Sequence, residues 1–246
     1  MSGRGSDVKA VLAVVVIGAV SAAGLAFVQR QTEGAIKAAR RAETAEAVGR
    51  VVPAECKVRL PDEDAAGESC PAFLKKDLGN GKSGCWEVFP AYRDDGTLCA
   101  IAVKTSSDKG YSGRIEVLAG FIGLQSPETL ELSRIYVLAH SETPGLGSLA
   151  TYLQEAPPSE WGSDRRKVFG LNFFRRKLSD MSFVVKKASE AGEEDVVAIT
   201  AATISSRAVS VAVQVAAEWV KENLDSIRTG LGSTQEVAAG KQEVQP

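Results

Sequence analysis

Four hydroxyl side chains, Thr200, Thr203, Ser205 and Ser206, and one guanidinium, Arg207, are gathered in the stretch AITAATISSRAV at residues 198–209. An apolar run there gives way to helical periodicity from Thr203 to Leu224, so the cluster falls at a helix entrance. Such an entrance offers N–H groups without intrahelical partners and the positive end of a dipole, which together form a seat for a phosphate. Arg207 in the first turn can add a charge-assisted contact. The same residues admit a plainer role, with Thr200 or Thr203 as an N-cap and Ser205 and Ser206 as ordinary first-turn residues. Residue types alone leave both readings open. Hydrolytic chemistry does not fit, because no GxSxG is present and the single histidine, His140, has no evident partner. One histidine also argues against a His-rich metal centre or a His-based triad.

The elements that must position this cluster are legible in outline. At 246 residues, 44% hydrophobic and 24% charged, the chain can build one sizeable domain with appendages. Its net charge of -2 gives no overall attraction to nucleic acid. Ala10 to Val28 is an uncharged run of nineteen residues. As a helix it would be about 28 Å long, enough to cross the hydrocarbon layer. A signal peptide is the competing reading, with Arg4 and Lys9 before the run and GLA at residues 24–26 near its end. The run exceeds the apolar core of a signal peptide, roughly 7–15 residues, and helical pattern continues beyond it, which favours a retained anchor. Basic residues flank both ends (Arg4 and Lys9; Arg30, Lys37, Arg40 and Arg41), so charge counting does not orient the span.

Thr32 to Arg50, rich in Ala, Glu, Lys and Arg, predicts a continuing helix that Pro53 ends. Residues 53–84 read as irregular, and the runs at 85–92, 98–105, 114–124, 134–140 and 181–187 as strands. RDDGT (93–97) predicts a hairpin with Asp95-Gly96 in a type I′ turn. That register sets Cys99 opposite Tyr92 and leaves Cys85 about 23 Å further along, too far for a Cys85–Cys99 bridge. Cys56, Cys70, Cys85 and Cys99 suit disulfides outside the cytosol, with an iron–sulfur cluster as the other option. Any disulfide should join the 53–84 segment to the hairpin. Two basic triplets, 165–167 and 175–177, lie near Trp161, Phe169, Phe173 and Phe174. Solvated charges around a buried aromatic cluster fit this net-acidic chain better than a nucleic-acid patch. The long helix is expected to bury Ile204, Ala208, Val211, Val215 and Trp219. The order α, then mostly β, then a terminal α favours an α+β domain.

ITAATISSRAV resembles the flavinylation motif Asp-x-x-(Ser/Thr)-Gly-Ala-Thr-x-(Ser/Thr)-Ser. That motif belongs to the FMN-binding domain of the G subunit of Rnf electron-transport complexes and of the C subunit of the sodium-pumping NADH:quinone reductase. GYSGRIEVLAGF (110–121) is similar to the family's Gly-Tyr-x-Gly-x-Ile strand, and SETPGLG (141–147) matches its Glu-Thr-Pro-Gly-Leu-Gly turn. The motif's Gly is Ala201 here and its Asp is Val197, with Asp195 the nearest acid upstream. The resemblance, over roughly residues 8–224, implies one N-terminal transmembrane helix followed by a mixed α+β FMN-binding domain. It divides the chain into a cytoplasmic segment (1–9), a transmembrane helix (10–28), a Cys-containing connector (29–84), the FMN-binding domain (85–224) and a disordered tail (225–246).

The resemblance further implies FMN joined covalently through its phosphate to Thr203, by a separate flavin transferase. Thr200, Ala202, Ser205, Ser206 and Arg207 would surround the ester, and Tyr111, Glu142, Thr143 and Leu146 would lie beside the flavin. The implied protein is a single-pass inner-membrane electron carrier whose main domain is periplasmic or extracytoplasmic. It would work with other membrane and redox subunits of an ion-translocating ferredoxin:NAD oxidoreductase, binding no substrate, metal or nucleic acid itself. The alternatives are the C subunit of the sodium-pumping quinone reductase and a non-redox anchored interaction module.

Overall fold

The structure, a computed structural model, describes residues 4–60, 74–77, 83–152, 154–165 and 167–239. The chain divides into two compact units, Met1–Thr44 and Ala45–Pro246. The first unit holds most of α1 (Arg4–Val51). No proline interrupts this helix, and it takes up both the apolar run and the Ala/Glu/Lys/Arg-rich stretch expected to be helical. Its Leu12, Val14, Val15, Ile17, Val20, Leu25 and Phe27 are each more than half exposed. Among the described residues it is the one helix long and apolar enough to cross a membrane.

The second unit is α+β, as expected. A six-stranded antiparallel sheet has the order β1-β4-β5-β6-β7-β8, formed by Lys57–Val58, Glu87–Tyr92, Leu98–Gly110, Gly113–Ile122, Glu131–Ala139 and Arg176–Lys177. Lys75–Asp77 (β2) pairs with Ser83–Cys85 (β3), and Val185–Lys186 (β9) runs parallel to Val196–Val197 (β10). The helix α2, Thr203–Ala239, covers one face of the sheet. Ile101, Val103, Val117, Ala119 and Phe121 pack there with Ala208, Val209, Ala212, Val213, Ala216 and Val220. A buried bond from Thr105 Oγ1 to the Ala212 carbonyl (3.0 Å) fixes the helix on β5.

The opposite face carries Ala100, Ala102 and Leu118, packed with Ala47, Val48 and Val51 from the end of α1. Gly120 permits this approach, since a Cβ there would meet the Val51 carbonyl oxygen at 2.0 Å. Burial on both faces explains why the central strands read as dense apolar runs rather than clean alternation.

Several expectations need correction. The compact domain begins at Ala45, not residue 85, because the last turns of α1 are part of its core. The helix α2 continues past Leu224 to Ala239, through residues expected to be a disordered tail. Ile227 is fully buried, and Tyr92 Oη donates to the Leu231 carbonyl (3.1 Å). The expected stripe of α2 is met in part: Ala208 is buried and Trp219 packs against the core, whereas Ile204 and Val215 are exposed, and Val209, Ala212, Val213 and Ala216 meet the sheet instead. The run 181–187 contributes only Val185–Lys186 as strand, because Phe183 takes φ +55° and breaks the extension.

The hairpin between β4 and β5 has three loop residues, not two. Arg93 N–H donates to Thr97 O (2.9 Å) and Gly96 N–H to Arg93 O (2.9 Å). Gly96 has φ +83°, the left-handed position of a bulge-type turn. Tyr92 therefore faces Leu98, and the register shifts before Ala91–Ala100. Cys99 is the extra residue of this bulge, and it forms a disulfide with Cys56. That bridge joins the connector to the hairpin, as expected. Cys85 is disulfide-bonded as well; Cys70 lies outside the described residues.

Candidate functional site

The turn from β10 into α2 is built by tying down successive backbone N–H groups. Val196 N–H donates to Val184 O (2.9 Å) and Ala198 N–H to Lys186 O (2.9 Å). Ile199 N–H donates to Ser206 Oγ (3.0 Å), which itself donates to Ala202 O (2.9 Å). Ala202 N–H closes the turn on Ile199 O (3.0 Å). Inside it, Ala201 has φ +63°, a left-handed conformation that costs a non-glycine residue about 1–2 kcal/mol.

The first helical residue is Thr203, so Ala202 occupies the cap position and has no side-chain oxygen with which to cap. The reading of Thr200 or Thr203 as an N-cap is thereby overturned. The Thr203 hydroxyl is partly exposed and has no hydrogen-bond partner among the described residues. Helix geometry leaves the first-turn N–H groups without intrahelical partners. Thr200 and Arg207 are exposed, whereas Ser205 and Ser206 are buried.

Glu142 brings the three sequence motifs together. Its buried carboxylate accepts from the Ser205 hydroxyl of α2 and from Ser112 N–H (3.0 Å) at the tip of the β5–β6 hairpin. Its own N–H donates to His140 Nδ1 (3.2 Å). Two glycines make room for this convergence. A Cβ on Gly147 would lie 2.5 Å from both Glu142 Oε2 and Ser205 Oγ, and one on Gly110 would lie 2.7 Å from Glu142 Oε1. The immediate neighbours of these bonded residues are exposed and apolar: Tyr111 (71%), Leu146 (42%) and Ile204 (50%). Thr143 is exposed beside Glu142. The result is a hydroxyl without a partner among the described residues at a helix entrance, with exposed apolar side chains next to the residues that converge on Glu142.

Asp195, the acid nearest the motif, lies outside this cluster. It accepts from Lys186 Nζ (2.9 Å), Gly192 N–H (2.8 Å) and Ser182 Oγ (2.9 Å). Lys186 above all, then the Gly192 N–H, holds its carboxyl down at about 2. Val197, at the position of the motif's Asp, is buried apolar wall in β10. Two side chains of the basic segment likewise serve the fold. Arg165 donates to the carbonyls of Gly192, Glu193 and Asp195, and Arg176 to those of Asp180 and Glu193. Burial, then the neighbouring Arg165, pushes the Arg176 guanidinium down. Arg134 lies 4.4 Å from the Trp161 ring centroid. Sequence reasoning missed Asn172 and Ser112; the one polar side chain inside the aromatic run FGLNFF was the available signal for Asn172.

Residues 110–218 match the model of the FMN-binding domain family. The chain is 27% identical to the G subunit of the Na+-translocating ferredoxin:NAD+ oxidoreductase complex of Acetobacterium woodii, over 87% of this chain and 90% of that protein. It is 29% identical to the G subunit of the ion-translocating oxidoreductase complex of Vibrio atlanticus, over 85% and 88%. With the corresponding protein of Shewanella baltica the identity is 30%, over 81% and 82%. The crystal structure of Shewanella oneidensis NqrC aligns with a TM-score of 0.43 and 19% identity, over 76% of this chain and 73% of that chain.

Proposed function

Because the chain belongs to the family of G subunits of ion-translocating oxidoreductase complexes, we propose that it is a membrane-anchored electron carrier with FMN esterified to Thr203. The observation that carries this reading is the unpaired Thr203 hydroxyl at the mouth of α2, beside the convergence of the three motifs on Glu142. A residue that served only to start the helix would sit one position earlier and bond the first-turn N–H groups.

Bound FMN supplies the reversible uptake and release of electrons; the chain supplies its attachment and surroundings. Thr203 would hold the FMN phosphate as an ester made by the transferase: the Thr203 O–H bond and the bond from the donor's phosphorus to its leaving group break, the O–P bond forms, and the proton and leaving group depart. First-turn N–H groups and Arg207 oppose the phosphate charge. Ser205, Ser206 and Glu142 keep the helix entrance and the two loops in register. Tyr111, Leu146 and Ile204 would give the ring apolar cover, and Thr143 a polar neighbour. A permanent ester keeps the flavin in place through every redox cycle. The partners of this reading are neighbouring redox subunits of the complex and a flavin transferase for maturation.

The α1 span serves as a single anchor, with the main domain on the extracytoplasmic side. The buried Cys56–Cys99 disulfide supports that side, since such bonds persist in oxidising compartments. The names of the relatives support a G subunit rather than the C subunit of a sodium-pumping quinone reductase.

Intact mass and in-gel fluorescence of protein expressed with a flavin transferase test the reading. The expected result is a fluorescent band with the added mass of one esterified FMN, absent in Thr203→Ala. An unmodified wild type under these conditions overturns it.

A further inference from the structure

We propose that Asn172 is a positioning residue: with Ser206 it holds the Thr203-bearing turn in a conformation that Ala201 opposes. Its link to flavin attachment rests on the function proposed above; its effect on the turn does not.

Asn172 ends the short 3-10 turn Phe169–Asn172 and is completely buried. Its side-chain amide pairs with both backbone groups of Val197, accepting the N–H at Oδ1 (2.8 Å) and donating from Nδ2 to the carbonyl (3.3 Å). A second bond from Nδ2 to Phe169 O (2.9 Å) fixes the amide itself. The amide thus occupies the place of a neighbouring strand on one side of β10, while β9 pairs on the other. Two residues on, Ser206 Oγ takes the Ile199 N–H from the helix side.

Thr200 and Ala201 lie between Ile199 and Ala202, the two residues that Ser206 Oγ bonds, and both side chains are exposed. Ala201 therefore gains nothing from packing, yet it stays at φ +63°. Non-glycine residues persist there only where the surroundings over-determine the backbone. The Asn172 and Ser206 bonds are those surroundings: Asn172 holds Val197 and Ser206 holds the Ile199 N–H before the strained residue, and Ser206 also holds the Ala202 carbonyl after it, so together they aim the entrance of α2. Glycine at 201 would need less holding. The dependence on Asn172 is the physical consequence of alanine at this position.

The test is a double-mutant cycle on the full chain, comprising wild type, Asn172→Ala, Ala201→Gly and the double variant. Hydrogen exchange is read on peptides covering 197–206 and, as a control, 100–122. Losing the Asn172 pairing should speed exchange at 197–206 about tenfold with 100–122 unchanged, the size expected for local opening after losing buried hydrogen bonds. Adding Ala201→Gly should restore most of that protection. The initial rate of FMN attachment by the transferase should fall and recover in the same pattern. Equal acceleration of both peptides, or no recovery with Ala201→Gly, overturns the proposal. Should Asn172→Ala fail to fold, Ser206→Ala in the same cycle makes the same demand. Exchange is measured without flavin, so this outcome stands even where Thr203 proves unmodified.

Discussion

The carboxylate of Glu142 accepts the hydroxyl hydrogen of Ser205, 63 residues later in the chain. Through this contact the turn after β7 is locked to the first turn of α2, and the Ser112 N–H adds the β5–β6 hairpin tip. Replacing Glu142 with Ala leaves the buried Ser205 hydroxyl and the Ser112 N–H without their acceptor. It should destabilise the domain by about 1–3 kcal/mol, with Glu142→Gln milder because one acceptor oxygen remains. Urea unfolding of both variants measures the difference, and an Ala variant as stable as wild type would rule out the linking role.

Gly147 should tolerate no side chain. A Cβ would stand 2.5 Å from both Glu142 Oε2 and Ser205 Oγ, so Gly147→Ala must force this pair apart. A loss of about 1–3 kcal/mol is expected. The Gly145→Ala control meets no atom within 4 Å but lies at φ +77°, so its cost is backbone strain alone. Thr203 modification should fall in Gly147→Ala and survive in the control.

Acid should loosen the turn that precedes the site. The Asp195 carboxyl lies at about 2, against an ordinary value of 3.8, mainly through Lys186. A depressed folded value means that the ion pair contributes fully above about pH 4 and is lost as pH falls through about 2. The urea midpoint of wild type should therefore drop across this window more than that of Asp195→Asn. Parallel curves for the two proteins would show that the pair contributes nothing.

The Cys56–Cys99 bridge closes 43 residues of chain. By chain entropy it contributes about 2–4 kcal/mol. Cys56→Ser with Cys99→Ser should lower the urea midpoint accordingly while leaving Thr203 modification intact, because the bridge lies on the α1 side of the sheet, in the cluster that packs Val48 and Val51.

How far the sequence carried depended on the range of the interaction. Local chemistry was legible: the hydroxyl cluster at a helix entrance, the Asp95-Gly96 turn and the strands of the central sheet follow from neighbours in the chain. The turn type was not, because three loop residues and two differ by a bulge that also decides where Cys99 points. Of the buried face of α2 only Ala208 and Trp219 were legible, because its other alanines and valines carry little pattern until the sheet is beside them. Long-range polar pairs were invisible for the same reason: nothing near Asn172 announces Val197, 25 residues away. Alanine at 201 was recognised as a departure from glycine; that the left-handed turn is kept despite it required the backbone.

The segment after the site carries one more device. Gln154 accepts the Val137 N–H at Oε1 (3.0 Å) and donates from Nε2 to the Val137 carbonyl (3.2 Å). Arg134 anchors the carrier segment through the carbonyls of Gln154 and Ala156. A single side chain so impersonates the next rung of the ladder and quenches the outer margin of β7 beyond its two-residue pairing with β8. A foreign strand finds no template for self-assembly there.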